Sequence, residues 1–270
     1  MDSDNRSFYA SFYHTPPLWP GSYDGLEQFL FPYLDLKTFA LPAIPHNLRL
    51  GHQIEFVFQQ LLNRSHHYRV LVHNLAIYQN KISLGEIDYI LQNIDNGEHI
   101  HIELTYKFYI ITGDGQAIDQ QLIGPNKRDT FILKKERIKQ HQLPLLYRSE
   151  SGEVLRAYGI DVGKLHQRVC FKSQLFVPFN RPYTDLGPFD PNCIVGSWIF
   201  HSDFNTDGFR SYTYYIPSKL EWLLTPNDTV NWKTHGEVSD DIGERIKRHY
   251  APLVWARNGS GGIRKIFILF

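Results

Sequence analysis

"ISLGEIDYILQNIDNGEHIHIELTYKFYII", residues 82–111, decides how the rest of the chain is read. It contains two runs rich in β-branched and aromatic residues, 82–93 and 99–111, separated by "IDNGE". Asn and Gly in so short a gap mark a hairpin turn. A third such run, "YRVLVHNLAIYQ" (68–79), precedes them across "NK". Two tight turns in succession predict an antiparallel three-strand meander. Side chains alternate between the faces of a strand. Glu86 and Asp88 therefore share a face, as do His99, His101, Glu103, Thr105 and Lys107 on the next strand. Alternation alone describes a half-exposed sheet with one polar face. Paired strands would also bring Asp88 and Glu103 together, and two such carboxylates repel unless a positive charge lies between them.

Outward from the meander, "NLRLGHQIEFVFQQLLN" (47–63) carries Leu50, Ile54, Val57, Phe58, Leu61 and Leu62 at helical spacing, with Asn47 placed as N-cap. Glu55 lies beside that apolar stripe. After the polar segment "GDGQAIDQQLIGPNK", Asp129 is placed to cap a helix expected over 130–143 that stops before Pro144. A short helix near Glu153–Tyr158 and a strand over 168–179 follow. The expected fold class is α/β: helix, three-strand meander, helix, strand, over residues 47–180. Residues 1–46 read as an irregular Pro- and aromatic-rich arm with one short helix near Leu26–Tyr33. Residues 181–270 read as a β-rich C-terminal extension packed on the core. It has strands in "CIVGSWIFHS" and "SYTYYIPSKLEWL", a helix in "SDDIGERIKRHY" capped by Ser239, and a closing hairpin.

Of the 270 residues, 42% are hydrophobic and 21% charged, an ordinary globular balance. The formal net charge is zero, so bulk charge gives no argument for a nucleic-acid partner. The two cysteines, Cys170 and Cys193, make no disulfide framework. The polar start "MDSDNRSFYA" lacks the basic and apolar regions of a signal peptide, and no apolar run is long enough to cross a bilayer. A cytoplasmic protein without a membrane partner is expected.

"GEIDYIL" followed by "HIELTYKFY" resembles the motif of the restriction-endonuclease-like PD-(D/E)XK superfamily, and the element order matches that superfamily's core. The chain is also similar to a bacterial branch, domain-of-unknown-function family eighteen fifty-three, through "IGPNKRD", "KQHQLPL", "FKSQLFVP", "YYIPSKLEWL" and the closing hairpin. The resemblance implies a nuclease hydrolysing phosphodiesters of DNA or RNA with Mg²⁺ or Mn²⁺. Asp88 and Glu103 would be metal ligands, aided by the Leu104 carbonyl, and Glu55 would be the supporting first-helix carboxylate. Lys107 would position the attacking water. The usual pattern places Lys two residues after the Glu, where this chain has Thr105. Lys107 is one pleat further, starting roughly 13 Å from Glu103 rather than about 7 Å.

Other chemistries compete. His99, His101 and Glu103, with His73, could grip Zn²⁺ or Fe²⁺, because imidazole suits those metals. The displaced lysine leaves open a non-catalytic binding or scaffold module of the same fold. Residues 127–139 hold Lys127, Arg128, Lys134, Lys135, Arg137 and Lys139 against Asp129 and Glu136. Such a run follows a nucleic-acid backbone or is simply a solvated helix face. Lys134 and Lys135 are the candidate phosphate contacts, with Gln142 a polar helper at the helix end. Tyr212, Tyr214, Tyr215, Trp198 and Trp222 read as packing rather than base-stacking residues.

Overall fold

A computed structural model describes residues 2–38, 40–113, 115–181 and 185–270, the side chains of 2–4 excepted. In chain order the helices are α1 (Asp2–His14), α2 (Leu50–Leu62), α3 (Ile118–Gln121), α4 (Phe131–Arg137), α5 (Leu143–Leu145), α6 (Ser149–Ala157), α7 (His201–Phe204), α8 (Asp207–Arg210) and α9 (His235–Lys247). The strands are β1 (Ser22–Tyr23), β2 (Leu26–Glu27), β3 (Tyr68–Gln79), β4 (Ile82–Asn93), β5 (His99–Ile111), β6 (Leu122–Ile123), β7 (His166–Pro178), β8 (Ile194–Phe200), β9 (Thr213–Tyr215), β10 (Lys233–Thr234), β11 (Leu253–Arg257) and β12 (Ile263–Leu269). A π turn, Ile138–Gln142, joins α4 to α5. The chain forms two compact units, residues 1–106 with 133–172, and residues 107–132 with 173–270. Strands β5 and β7 begin in the first and end in the second.

The first unit holds the meander at the expected bounds. β3 pairs antiparallel with β4, β4 pairs antiparallel with β5, and β7 lies next to β5. The apolar stripe of α2 is buried as its spacing requires, and Phe58 packs edge-on against Tyr89 of β4 at 4.8 Å. Ile87 and Ile90 of β4 join Leu145, Leu146 and Leu155 in a second cluster. Gly85 has φ +145°, and a Cβ there would meet Leu145 Cδ2 at 3.0 Å. Gly85→Ala is therefore expected to destabilise the chain by about 1–3 kcal/mol. A lowered urea midpoint with an unchanged slope is the measurement.

Several local expectations give way here. Residues 26–33 form β2 and irregular chain, not a helix; the arm's helix is α1. Phe29 and Phe31 pack edge-on against Phe58, and the Phe29 N–H bonds Val169 O, so tertiary packing overrides local pattern. Helix α2 starts at Leu50 with Arg49 at the cap and no side-chain cap bond; Asn47 does not cap it. Asp129 does not immediately precede α4, and its carboxylate accepts from Lys107. The second helical run passes through Pro144 because the widened π turn before it accommodates a ring without an N–H.

In the second unit the strand order is β10-β9-β11-β12-β8-β7, and β6 pairs with the end of β5. β11 and β12 form the closing antiparallel hairpin, whereas β8 runs parallel to both β12 and β7, making a mixed sheet. The stretch 211–223, read as a strand, yields only the short β9 before a 3₁₀ turn at Leu220–Leu223. Helix α9 is capped by Thr234 with Glu237 in a capping box, not by Ser239. Both cysteines are buried. Residues 182–184, inside the Pro/Gly-rich link, lie outside the described residues.

Candidate functional site: a facing carboxylate pair

The β4–β5 ladder pairs Gln92 with His99 through Tyr89 with Ile102 and stops there. The next positions, Asp88 and Glu103, face one another where the strands part. A side chain takes over from the ladder: Asp88 Oδ2 accepts from the Leu104 N–H at 2.9 Å. On the other side of β4, Asn74 lies between the pairs His73–Tyr89 and Leu75–Ile87, in a left-handed conformation at φ 49°. A non-glycine residue held this way inside a strand is a kink that the surroundings must enforce. Its amide donates to Glu55 Oε2 at 3.1 Å, and His52 Nδ1 lies 3.0 Å from the same oxygen.

Glu103 is 1% exposed and His101 fully buried. Gln167 donates through Nε2 both to Leu143 O (2.8 Å) and to His101 Nδ1 (3.0 Å). An amide nitrogen only donates, so Nδ1 accepts and the imidazole proton sits on Nε2, which faces Glu103 Oε1 at 3.2 Å. Glu103 Oε2 accepts from Gln142 Nε2, and Gln142 Oε1 accepts from Lys134 Nζ at 2.8 Å. Two donor chains thus converge on Glu103. The π turn makes this possible: eight residues of regular helix would leave Gln142 about 80° around the axis from Lys134. The Leu143 N–H bonds Ile138 O, and the wider turn absorbs the overshoot.

Burial pushes the Glu103 carboxyl up to about 8, against the lowering effect of Lys134 and the Asp88 N–H. Burial, then the Glu103 charge, pushes Asp88 up to about 7; the Leu104 N–H and Lys134 oppose this, and Glu55 adds to it. Burial pushes His101 down to about 4, so it is neutral at pH 7. Burial and then Glu55 raise the Glu86 carboxyl. Two ionised carboxylates at this point are thus costly to the fold alone.

The structure brings Asp88, Glu103, Glu55, Lys134 and Gln142 together in the first unit. Lys107 belongs to the second, where its ammonium donates to Asp129 at 2.6 Å. The Asp129 carboxylate lies against Gly124, where a Cβ would be 2.0 Å from its Oδ1. Lys135 is 6% exposed and paired with Asp24 at 2.9 Å, so it is an internal tie and not a surface cation. Both ring nitrogens of His101 are engaged, and His73 stacks on Tyr89. Sequence reasoning missed His101 and Gln167 as the pair that orients Glu103; the His-x-Glu spacing was visible, but Gln167 lies 66 positions away. It also gave Lys134 only a backbone-contact role.

Among the described residues, no group of three or more His, Cys, Asp or Glu side chains is arranged to hold a metal. Mg²⁺ asks for less, since that ion commonly takes one or two carboxylates and fills its remaining positions with water and phosphate oxygens. Asp88 and Glu103 supply hard oxygens whose repulsion a cation would remove. Thr105, next on the Glu103 face, is 4% exposed, and its Oγ1 has no partner among the described residues. The donor set fits.

Fold and site define a mixed α/β protein with an acidic pair, Glu103 buried and Asp88 half-buried, at the parting of two strands. The chain belongs to the family described as Domain of unknown function (DUF1853), whose model matches residues 24–265. No curated protein and no solved structure matched it. No helix among the described residues is long and apolar enough to cross a membrane.

Proposed function

We propose that this chain is an Mg²⁺-dependent nuclease of the PD-(D/E)XK type, hydrolysing phosphodiesters of DNA or RNA. The observation that carries the reading is the pair Asp88 and Glu103, opposite one another where the ladder opens, with a lysine acting on both. Asp88, Glu103 and the Leu104 carbonyl would hold the cation, which when bound polarises a phosphoryl oxygen and activates water. The chain's own groups do the rest. His101 and Gln142 fix the Glu103 carboxylate through Oε1 and Oε2. Lys134 offsets negative charge developing on the phosphoryl group, in the role sequence reasoning gave to Lys107. Glu55, held by Asn74, raises the demand for a cation at Asp88.

The test is cleavage of mixed single- and double-stranded DNA and RNA by the purified chain. Hydrolysis is expected with Mg²⁺ or Mn²⁺ and not with EDTA; products no more abundant than with Asp88→Ala would end the proposal. One observation favours a second reading, a binding module without catalysis: Thr105 stands at the motif position, and Lys107 is committed to Asp129. Nucleic-acid binding that ignores both divalent metal and Glu103→Gln would favour it.

A further inference from the structure

The segment "IGPNKRD" has no part in the carboxylate site. In the second unit it forms a tight turn, with the Lys127 N–H bonded to Gly124 O at 2.7 Å and the Gly124 N–H to Asp129 O. The Asn126 side chain accepts from the Ala251 N–H at 2.8 Å and so ties this turn to the chain leaving α9. Between the two lies a cavity of about 520 Å³, within the size range of small-molecule sites.

Both walls of this cavity hold strained backbone. Lys127 has φ 57° and His249 has φ 53°, positions where glycine is the usual residue. Each costs about 1 kcal/mol or more relative to glycine, and such positions cluster at ligand sites. The end of α9 does not repel anions through bare carbonyls: N–H groups of 248–250 bond the oxygens of Glu244, Arg245 and Ile246.

The charges decide the ligand. Arg128, Arg245 and Arg248 line the cavity with Asp241 and Glu244. Arg245 grips Asp241 with two bonds, at 2.8 and 3.0 Å, and Lys247 takes Glu244 at 2.7 Å. The guanidinium groups of Arg128 and Arg248 make no hydrogen bond or ion pair among the described residues, and the Arg248 charge offsets that of Glu244 only at a distance. Two uncommitted forks match a group of nearly two negative charges with several acceptor oxygens. A phosphate monoester has that charge near pH 7, and a carboxylate does not.

We propose that this cavity binds the phosphate group of a small phosphomonoester. The site is independent of the nuclease reading. Isothermal titration of the full chain with inorganic phosphate, a nucleoside 5′-monophosphate and the matching nucleoside tests it. Saturable binding is expected with the phosphate-bearing probes and none with the nucleoside. Arg128→Gln and Arg248→Gln, both at exposed positions, should each weaken it about tenfold or more. Arg210→Gln, on α8 and paired with Asp207, should leave it unchanged. Tighter binding of the monophosphate than of phosphate assigns an ester ligand, and equal binding assigns the free anion; both support the site. No saturation by either probe up to roughly 10 mM would overturn it, being weaker than any built site. So would equal binding by the nucleoside, or affinity indifferent to both glutamine variants.

Discussion

Asp88→Asn is expected to abolish metal-dependent cleavage while making the metal-free protein more stable above neutral pH. The asparagine oxygen can still accept from the Leu104 N–H, so the local geometry survives. What is lost is a half-buried charge placed beside the buried Glu103. The Asp88 carboxyl is raised to about 7 in the fold, above its ordinary value. A group raised on folding stabilises the fold fully below its ordinary range, and that contribution is lost as pH rises through the folded value. Asparagine and aspartic acid should therefore be similar only near pH 3, below the ordinary carboxylate range, and diverge from there up to the folded value. At pH 8.5 the variant should be more stable by on the order of 4 kcal/mol, since the Asp88 carboxyl is raised through about three tenfold steps of about 1.4 kcal/mol each. Lys265 in the second unit, pushed down to about 7 by burial, has its own pH dependence, which the difference between variant and wild type removes. Denaturant melts at the two pH values, beside turnover in Mg²⁺, make the measurement. A variant equally stable at both, or an active one, contradicts the account. The same logic gives a second readout: Mg²⁺ binding near pH 7 should release protons from wild type and fewer from the variant.

Lys134→Met should lower cleavage about a hundredfold, the usual loss for one positioned charge stabiliser, with little change in KM. It should also raise the apparent carboxyl values of Asp88 and Glu103 further, because Lys134 lowers both. The pH profile of cleavage should shift upward in any residual activity, which a purely structural lysine would not cause. Lys107→Met is the companion variant. It breaks the bond to Asp129 in the second unit and should reduce stability modestly, by about 1 kcal/mol or less for a half-exposed pair. If Lys107→Met instead abolishes cleavage and Lys134→Met does not, the roles revert to the motif's order.

The meander was legible because alternation and turn chemistry act locally. β3, β4 and β5 stand at their expected bounds, and the acidic pair follows from reading two antiparallel strands across an Asn-Gly turn. The α2 stripe was equally plain. The arm was not, because Phe29 and Phe31 are placed by Phe58 and Val169, distant in sequence. Capping at α9 was misread since Thr234 and Ser239 offer the same chemistry, and only the helix start chooses between them.

By itself the sequence determined which residues could meet: strand periodicity put Asp88 and Glu103 on adjacent ribbons, and composition left a two-cysteine globular chain. Tertiary structure alone decided which of them act together. The ladder stops past Tyr89–Ile102 at the same level as the kink at Asn74 in a third strand, and neither can be read from alternation. Which lysine reaches the pair depends on one widened helical turn between Lys134 and Gln142. Hydrogen bonds and burial between distant segments set those choices, and local periodicity carries no information about them.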